Sequence, residues 1–295
     1  MLDDETLVQK ASYLRIAAKD LAEGMKSGDF RSLYQGQGIE FAGVRDYIRG
    51  DDIRSIDWNV SARIGRTYVK LFEEERELQF FILLDTSLSM KINRSQKLKK
   101  AAEACALLTI ASELNSCPCG GIFFDGQIQF SCEPKAGRIQ TLHILSNLDK
   151  ISNSKSSDLK SCGTVLPNAI TAATRILRKR SLVFVISDFR AAGWEKPLIT
   201  LAQKNNVIAL RLSDAYEKEL PEFGTALFKD VESGLTMTLP TNSPKFKKEW
   251  KRQHENHEKR WREFCVKHGI FPAIMKADDE PLFILNGIFA QNNKL

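Results

Sequence analysis

Apolar residues in this chain gather in short, unbroken runs that stop at a polar side chain. The clearest run is Phe-Phe-Ile-Leu-Leu at residues 80–84, which ends at Asp85. A run without alternation of polar and apolar positions is typical of a strand buried on both faces, as in a parallel sheet. Similar runs at residues 182–186 and 207–212 predict two more strands of this kind.

Between these runs, apolar residues recur at intervals of three and four, which predicts helices. The predicted helices cover residues 1–27, 97–114, 138–151, 166–177, 196–204 and 246–268. A buried strand followed by a turn and a helix is half of a βαβ unit. In the helix at 138–151, we expect four side chains to face the core: Ile139, Leu142, Leu145 and Leu148.

Three shorter features have other patterns. Asp125-Gly126 divides two alternating stretches within residues 120–130, which predicts a hairpin with its turn at this pair. Residues 226–239 predict a second hairpin at the edge of the fold. The tail at residues 281–290 is expected to form a small strand or a half-turn that packs back onto the domain.

The first buried run leads directly into a group of oxygen-bearing side chains. Asp85, Ser87 and Ser89 follow it as Asp-x-Ser-x-Ser, which offers one charged and two neutral oxygens in a single turn. Hard cations such as Mg²⁺ prefer oxygen ligands, and ligands of parallel sheets bind beyond the carboxyl ends of the strands. Thr164 precedes a predicted helix and Asp188 ends a second buried run, so both are candidates to complete a metal site.

This order of residues resembles the metal-ion-dependent adhesion site of von Willebrand factor type A domains, in which Asp-x-Ser-x-Ser precedes a threonine and an aspartate. Residues 38–58, which include Gly-Asp-Asp-Ile-Arg at positions 50–54, point to one family among the proteins that contain such domains. They are similar to the bacterial family catalogued as domain of unknown function 58, whose members carry a type A domain. The resemblance extends over residues 30–240.

The resemblance implies an α/β fold with a doubly wound, mostly parallel, Rossmann-like sheet. We expect the type A domain at residues 78–240. An N-terminal helix and a small β segment at residues 1–77 would pack against it, and residues 241–295 would add a basic C-terminal helix and a tail.

The resemblance also implies metal-dependent protein–protein interaction without catalysis. Ser87, Ser89 and Thr164 would bind Mg²⁺ or Mn²⁺ directly, and Asp85 and Asp188 would bind it directly or through water. An open coordination position would then accept an acidic residue of another protein. The family further implies a MoxR-type AAA+ ATPase as the working partner, with the pair acting in chaperone-like maturation or assembly of client proteins.

Two alternatives start from the same residues. Asp and Ser cap helices well, so Asp85 and the serines would simply cap the helix that begins near Lys91. Capping does not account for Thr164 and Asp188, however. The second alternative is a metal-dependent phosphohydrolase in which Asp85 is the nucleophile. That class usually carries a second carboxylate two residues later, where this chain has Ser87.

Charged residues are dense in the segment that precedes the first buried run. They are Arg45, Asp51, Asp52, Arg54, Asp57 and Arg63. We expect these charges to pair with one another and attach the segment to the main domain. The alternative is that they form a second interaction surface. Trp58 is expected to be a packing anchor in either case.

Composition and charge indicate a globular protein and disfavour a membrane-spanning, secreted or nucleic-acid-binding one. The chain has 295 residues, of which 43% are hydrophobic and 27% charged, as in a globular protein with one large or two modest domains. No apolar run approaches the ~18 residues of a membrane span, and the acidic N-terminus lacks the pattern of a secretion signal, so we expect a cytoplasmic protein. The net charge of +6 is mild, and glutamates within the basic helix disfavour nucleic-acid binding.

Overall fold

The structure is a computed structural model that describes residues 17–22, 39–74, 78–91, 96–153, 165–214, 225–229 and 236–291. The chain forms two compact units: Gly28–Leu78, and Met1–Ser27 together with Gln79–Leu295. Residues 1–27 and 241–295 both belong to the larger unit, together with residues 79–240.

Strands and helices alternate along most of the described chain, as the sequence pattern predicts. The strands are β1 (Ile39–Asp46), β2 (Tyr68–Glu74), β3 (Phe80–Asp85), β4 (Cys119–Asp125), β5 (Gln127–Lys135), β6 (Leu182–Ser187), β7 (Asn206–Ser213), β8 (Thr225–Lys229), β9 (Thr236–Pro240) and β10 (Phe271–Lys276). The helices are α1 (residues 17–22), α2 (Trp58–Ile64), α3 (Leu88–Lys91), α4 (Lys97–Leu114), α5 (Arg138–Asn153), α6 (Val165–Ile176), α7 (Glu195–Lys204), α8 (Pro244–Lys267) and α9 (Pro281–Gln291). A 3-10 helix, Ile53–Ser55, precedes α2.

Six strands of the larger unit form one sheet in the order β5-β4-β3-β6-β7-β10. Neighbouring strands run parallel except β4 and β5, which are antiparallel and meet at the predicted Asp125-Gly126 turn. From β3 the chain moves to β4 on one side, and it later returns to place β6 on the other side. The mixed α/β fold with a mostly parallel sheet is therefore confirmed. The second predicted hairpin is present as the antiparallel pair β8 and β9 in a sheet of its own.

Helices cover both faces of this sheet, which explains why β3 and β6 are buried at every position. On one face, α6, α7 and the end of α8 pack on the sheet through a cluster that includes Phe81, Val183 and Trp261. On the other face, α4 contacts both α5 and α9. The ring of Phe289 in α9 lies 6.1 Å from that of Phe184 in β6.

The smaller unit is built on the antiparallel pair β1 and β2, whose connection carries the 3-10 helix and α2. Asp52 and Asp57 cap these two helices by accepting hydrogen bonds from backbone N–H groups of their first turns. Arg45 donates two hydrogen bonds of 2.7 Å to Asp51, which is one of the charge pairs expected from the sequence. Trp58 is 67% exposed, so the expectation that it is a packing anchor is wrong.

Of the four side chains of α5 expected to face the core, Leu148 is buried and Leu145 half-buried, and the other two are exposed. Ile139 and Leu142 are 88% and 55% exposed, whereas Ile144 and Leu148 are buried. The helix lies at the β4–β5 edge of the sheet and contacts α4 and β4, so only a narrow stripe of it is covered. Two apolar stripes fit its sequence, and the edge position selects the one that passes through Thr141, Ile144 and Leu148.

The C-terminal segment contributes more to the fold than the sequence pattern indicated. Strand β10 runs parallel to β7 and forms an edge of the central sheet. Pro272 lies within it, and proline in a strand is tolerated at an edge because it lacks the backbone N–H of a central strand residue. The tail expected to be a small strand or half-turn is helix α9, in which Leu285, Ile288 and Phe289 are buried.

The basic helix α8 is partly packed and partly solvated. Trp261 and Cys265 near its end are buried, while Lys259 and Arg262 lie on the exposed side and pair with Glu263 and Glu258 at 3.9 and 3.4 Å. Such pairs one turn apart are expected on a solvated helix face. Among the helices that the structure describes, none combines the length and apolar character needed to cross a membrane.

Close packing of β3 against β4 depends on a glycine. A Cβ added at Gly121 would lie 2.7 Å from the backbone oxygen of Ile82. We predict that Gly121→Ala lowers the free energy of unfolding by about 1–3 kcal/mol, because the two central strands must separate to accept the methyl group. Urea denaturation followed by circular dichroism measures this change.

The matched control for this substitution is Gly287→Ala in α9, where an added Cβ meets no atom within 4 Å. Alanine is preferred over glycine in helices by about 1 kcal/mol, so this variant should unfold at the same or a higher urea concentration than wild type. Equal urea midpoints for Gly121→Ala and wild type would contradict the close approach of the strands.

Candidate metal centre

The candidate site lies at the carboxyl ends of β3 and β6, where the strand order of the central sheet reverses. Open α/β sheets bind ligands at such points because the connections diverge there and leave a crevice. The parallel register sets Leu84 opposite Ile186, so the next residues, Asp85 and Ser187, end their strands side by side. Both side chains are buried.

Asp85 is held by hydrogen bonds to both of its carboxylate oxygens. Its Oδ2 accepts a hydrogen bond of 2.6 Å from the hydroxyl of Ser187, and its Oδ1 accepts one of 2.9 Å from the backbone N–H of Ser87. The bond to Ser187 joins the ends of two strands that are 102 residues apart in sequence. These two bonds fix the orientation of the carboxylate.

The two serines of Asp-x-Ser-x-Ser point at one another. The hydroxyl oxygens of Ser87 and Ser89 are 3.0 Å apart, and the N–H of Met90 donates to the backbone oxygen of Ser87 as α3 begins. The hydrogen bond from the Ser87 N–H to Asp85 is the kind that a helix N-cap makes, as the capping alternative expects. Capping does not explain why the other oxygen of Asp85 is bound by a residue of β6.

Asp188 follows β6 directly and is 2% exposed. Its Oδ1 accepts a hydrogen bond of 3.2 Å from the backbone N–H of Arg190. Its Oδ2 is buried and accepts no hydrogen bond within the described residues; the Arg190 Nε lies 3.8 Å away as an ion-pair partner. A buried carboxylate oxygen without a hydrogen bond is unusual and calls for an explanation.

The backbone after Asp188 is strained. Phe189 has a φ of 54°, a conformation that bulky residues rarely adopt. Its ring is buried between two indoles, with centroids 5.3 Å from Trp194 and 5.5 Å from Trp261. The Phe189 N–H also donates to the Ser187 hydroxyl at 3.1 Å. Aromatic packing and this hydrogen bond hold the strained turn that positions Asp188.

The two buried carboxylates oppose each other electrostatically. Burial raises the pKa of Asp85, the negative charge of Asp188 raises it further, and with all contributions the pKa is about 6. Hydrogen bonds from Ser187 and Ser87 act the other way and lower it. The ammonium group of Lys91 is engaged elsewhere, in an ion pair of 2.7 Å with Asp125. The site therefore carries negative charge that its hydrogen bonds offset only in part.

Four of the five predicted site residues lie at this edge of the sheet. Asp85, Ser87 and Ser89 form one turn, and Asp188 is close enough for its charge to act on Asp85. Thr164 lies outside the described residues. Within the described part of the chain, no group of three or more His, Cys, Asp or Glu side chains is arranged to hold a metal ion.

Sequence reasoning did not single out Ser187, whose hydroxyl contacts Asp85. The signal was present, because a hydroxyl ends the apolar run immediately before Asp188. In parallel strands, residues at matching positions of neighbours point to the same face. Ser187 is one position beyond Ile186, the partner of Leu84, and so it matches Asp85.

The buried Asp85 predicts a pH dependence of stability. Because its pKa rises from 3.8 to about 6 on folding, the folded state favours the protonated form, and wild type loses stability as the pH rises from about 4 through about 6. We predict that, in the presence of a chelator, Asp85→Asn is more stable than wild type at pH 7.5 by up to about 3 kcal/mol. The difference should shrink toward pH 4, as measured by urea unfolding across this range.

Asp278→Asn is the matched control, since it removes one exposed carboxylate from the same protein. It should leave the pH profile of wild type unchanged. If Asp85→Asn were less stable than wild type at pH 7.5 without metal, the carboxylate of Asp85 would be stabilised by its surroundings, contrary to the expected effect of burial.

Relatives with similar sequences come from mycobacteria. The uncharacterized protein Rv1480 of Mycobacterium tuberculosis is 30% identical over 237 residues, which cover 79% of this chain and 74% of the relative. The uncharacterized protein Mb1516 of Mycobacterium bovis matches to the same extent. A shorter match, 36% identical over 72 residues, links 24% of this chain to 43% of the uncharacterized protein MAV169 of Mycobacterium avium.

Two solved structures show limited similarity. A crystal structure of an aerotolerance-related membrane protein from Bacteroides fragilis covers 74% of this chain and 100% of its own, with a TM-score of 0.46 and 18% identity. The pilus adhesin SpaC from Lactobacillus rhamnosus GG covers 75% of this chain and 30% of its own, with a TM-score of 0.44 and 10% identity. Similarity at this level does not establish a shared function.

The sequence of the whole central region also matches a family. The model of the family described as protein of unknown function DUF58 matches residues 43–260, a stretch that runs from β1 of the smaller unit into α8. The chain therefore belongs to the DUF58 family.

Proposed function

We propose that this protein binds a divalent cation, Mg²⁺ or Mn²⁺, at the ends of β3 and β6, and that it uses the bound cation to hold an acidic residue of another protein. The observation that carries the proposal is the pair of buried carboxylates, Asp85 and Asp188, with Oδ2 of Asp188 accepting no hydrogen bond among the described residues. A cation would give Oδ2 of Asp188 a partner and would offset the negative charges of both carboxylates.

The donors at this site fit a hard cation. Asp85, Asp188, Ser87 and Ser89 offer only oxygen, which Mg²⁺ and Mn²⁺ prefer. Thr164 is the fifth member of the proposed set. An unsatisfied buried acceptor such as Oδ2 of Asp188 costs about 1–3 kcal/mol, and a cation at this position would remove that cost. It would also compensate the repulsion that raises the pKa of Asp85.

The charges of the proposed ligands determine which further group the bound cation would attract. Hydroxyl ligands are neutral, so two carboxylates would be the main compensation for the charge of the cation. Ser187 would act as a positioning residue, since its hydroxyl orients the carboxylate of Asp85. A cation with a free coordination position attracts an anionic oxygen, and the carboxylate of an Asp or Glu on a partner has this chemistry.

The arrangement of the larger unit supports a doubly wound, Rossmann-like type A domain as the scaffold. Its sheet has one antiparallel edge strand, β5, and helices on both faces. The candidate site lies where the strand order reverses, which is where such a domain would bind its cation.

Within this proposal the partner is a MoxR-type AAA+ ATPase, a client protein, or both, and the pair acts in the cytoplasm in chaperone-like maturation or assembly. Support for the ATPase comes from the family alone, by analogy. Support for an acidic contact comes from the site, because five proposed protein donors leave one position of an octahedral shell for an oxygen from elsewhere. The chain would act as an adaptor rather than as a catalyst.

Calorimetric titration with Mg²⁺ or Mn²⁺ tests the cation site. We predict saturable binding to wild type, and none to Asp85→Ala or Asp188→Ala, because each loses a charged donor. Ser187→Ala should bind about tenfold more weakly, because its hydroxyl orients the carboxylate of Asp85.

Asp278→Ala is the control for the loss of a carboxylate, and it should bind like wild type. If wild type and Asp85→Ala bound both cations with equal affinity, the proposed cation site would be contradicted. Turnover of a generic phosphomonoester that disappears in Asp85→Asn would instead support the phosphohydrolase alternative.

A pull-down with purified MoxR-type ATPase tests the role of the cation in partner binding. We predict that immobilised wild type retains the ATPase in Mg²⁺, and that a chelator or Asp188→Ala releases it, because the acidic contact would require the cation. If the ATPase stayed bound in the presence of chelator, its binding would not require the cation. The calorimetric evidence for the cation site would be unaffected.

A further inference from the structure

We propose that the connection between β1 and β2 is a second binding surface, which holds an acidic segment of a partner protein that also carries apolar side chains. We call it the Trp58 surface. It consists of four apolar and four cationic side chains: Ile48, Ile53, Trp58, Ile64, Arg49, Arg54, Arg63 and Arg66. It needs no cation and does not depend on the proposed metal site.

These residues belong to one compact loop structure at the end of the hairpin. The N–H of Tyr47 donates to the backbone oxygen of Thr67 at 2.8 Å, which closes the loop at its base. The N–H of Asp57 donates to the backbone oxygen of Tyr68, also at 2.8 Å. Ile56 is buried and pairs with Val69 of β2. The loop is therefore anchored at its middle as well as at its ends.

Large apolar side chains of this loop point outward. Ile48 is 63% exposed, Ile53 66%, Trp58 67% and Ile64 55%. Each of the four leaves more than half of its surface in solvent within one short loop, and grouped exposed apolar side chains on a soluble protein are often functional. Ile53 and Trp58 are the first residues of the 3-10 helix and α2, and the caps Asp52 and Asp57 hold their backbone independently of their side chains.

The acidic residues of the loop are occupied locally, and the arginines are not. Asp51 accepts two hydrogen bonds from Arg45, while Asp52 and Asp57 cap the 3-10 helix and α2. The four arginines of the Trp58 surface are exposed, and none of them forms an ion pair with any residue in the described ranges. Capping leaves the charges of Asp52 and Asp57 in place, so the four arginines and three aspartates of residues 47–67 give a net charge of +1. The exposed arginines are complementary to an acidic segment.

The mixture of side chains favours protein as the occupant. Trp and Arg are the residue types that most often dominate binding energy at protein interfaces. Single-stranded nucleic acid is usually bound by several aromatic rings on which bases stack, whereas three of the four apolar residues here are isoleucine. Of the charges that the sequence analysis named in this segment, Arg54 and Arg63 belong to the Trp58 surface, which corresponds to its alternative of a second interaction surface.

The first step of the test identifies what contacts the surface in cells. A photo-reactive amino acid placed at Ile53 of the full chain is activated in the cells of origin, and the cross-linked peptides are sequenced by mass spectrometry. We expect one predominant protein, joined through a segment rich in Asp or Glu that also carries apolar residues. A basic segment, a nucleic acid, a second copy of this chain, residues of 79–295 of the same chain, or no product would each overturn the proposal.

The second step measures the affinity of the purified partner for the full chain. Trp58→Ala and the double reversal Arg54→Glu with Arg63→Glu should each weaken binding about tenfold or more, and the double variant should also lose most of the salt dependence. Ile53→Ser is a second apolar variant, and circular dichroism checks that each variant is folded. A chelator should leave the affinity unchanged, which distinguishes this surface from the proposed metal site.

Matched controls come from exposed residues of the larger unit. Ile139→Ala on α5 removes an 88% exposed isoleucine, and Lys248→Glu on α8 reverses an exposed positive charge. Both should bind the partner like wild type. If Trp58→Ala and Ile139→Ala had the same affinity, or if Lys248→Glu weakened binding as much as the double reversal, the Trp58 surface would not be the binding site.

Discussion

Two carboxylates buried next to each other at the end of an apolar sheet are the constraint on which the centre of this structure depends. Asp85 and Asp188 follow strands that are buried at every position, so neither side chain reaches bulk water. Burial and mutual repulsion raise the pKa of Asp85, and the hydroxyl of Ser187 offsets this only in part. Such a pair persists because the surrounding core leaves the ends of the strands no other position.

The central strands and the first part of the site were predictable from sequence because they depend on local patterns. Unbroken apolar runs are compatible with few structures besides a strand covered on both faces. Once two such strands are parallel and adjacent, their carboxyl ends meet, which brings Asp188 to Asp85. The Asp-x-Ser-x-Ser turn follows in the same way, because three successive oxygen-bearing residues within five positions have little room to separate.

Features that depend on distant neighbours were not predictable. Strand β10 contains Pro272, and only its place at the edge of the sheet makes that residue acceptable. Helix α5 has two apolar stripes, and contact with α4 and β4 decides which of them is buried. The exposure of Trp58 was not predictable either, because a large apolar side chain is expected to be buried unless its neighbours in space are known. Local patterns identify elements, and tertiary contacts decide which faces of those elements are covered.

The strained turn at Phe189 has a consequence for how this protein is divided into fragments. Its ring contacts Trp194, which immediately precedes α7, and Trp261 of α8, which lies 72 residues after Phe189. A fragment that stopped at residue 240 would lose Trp261, half of this aromatic support, and would also leave β7 as an open edge without β10. The smallest piece in which Asp188 is placed correctly therefore extends through the C-terminal strand, and a shorter expression product would misrepresent the site even if it folded.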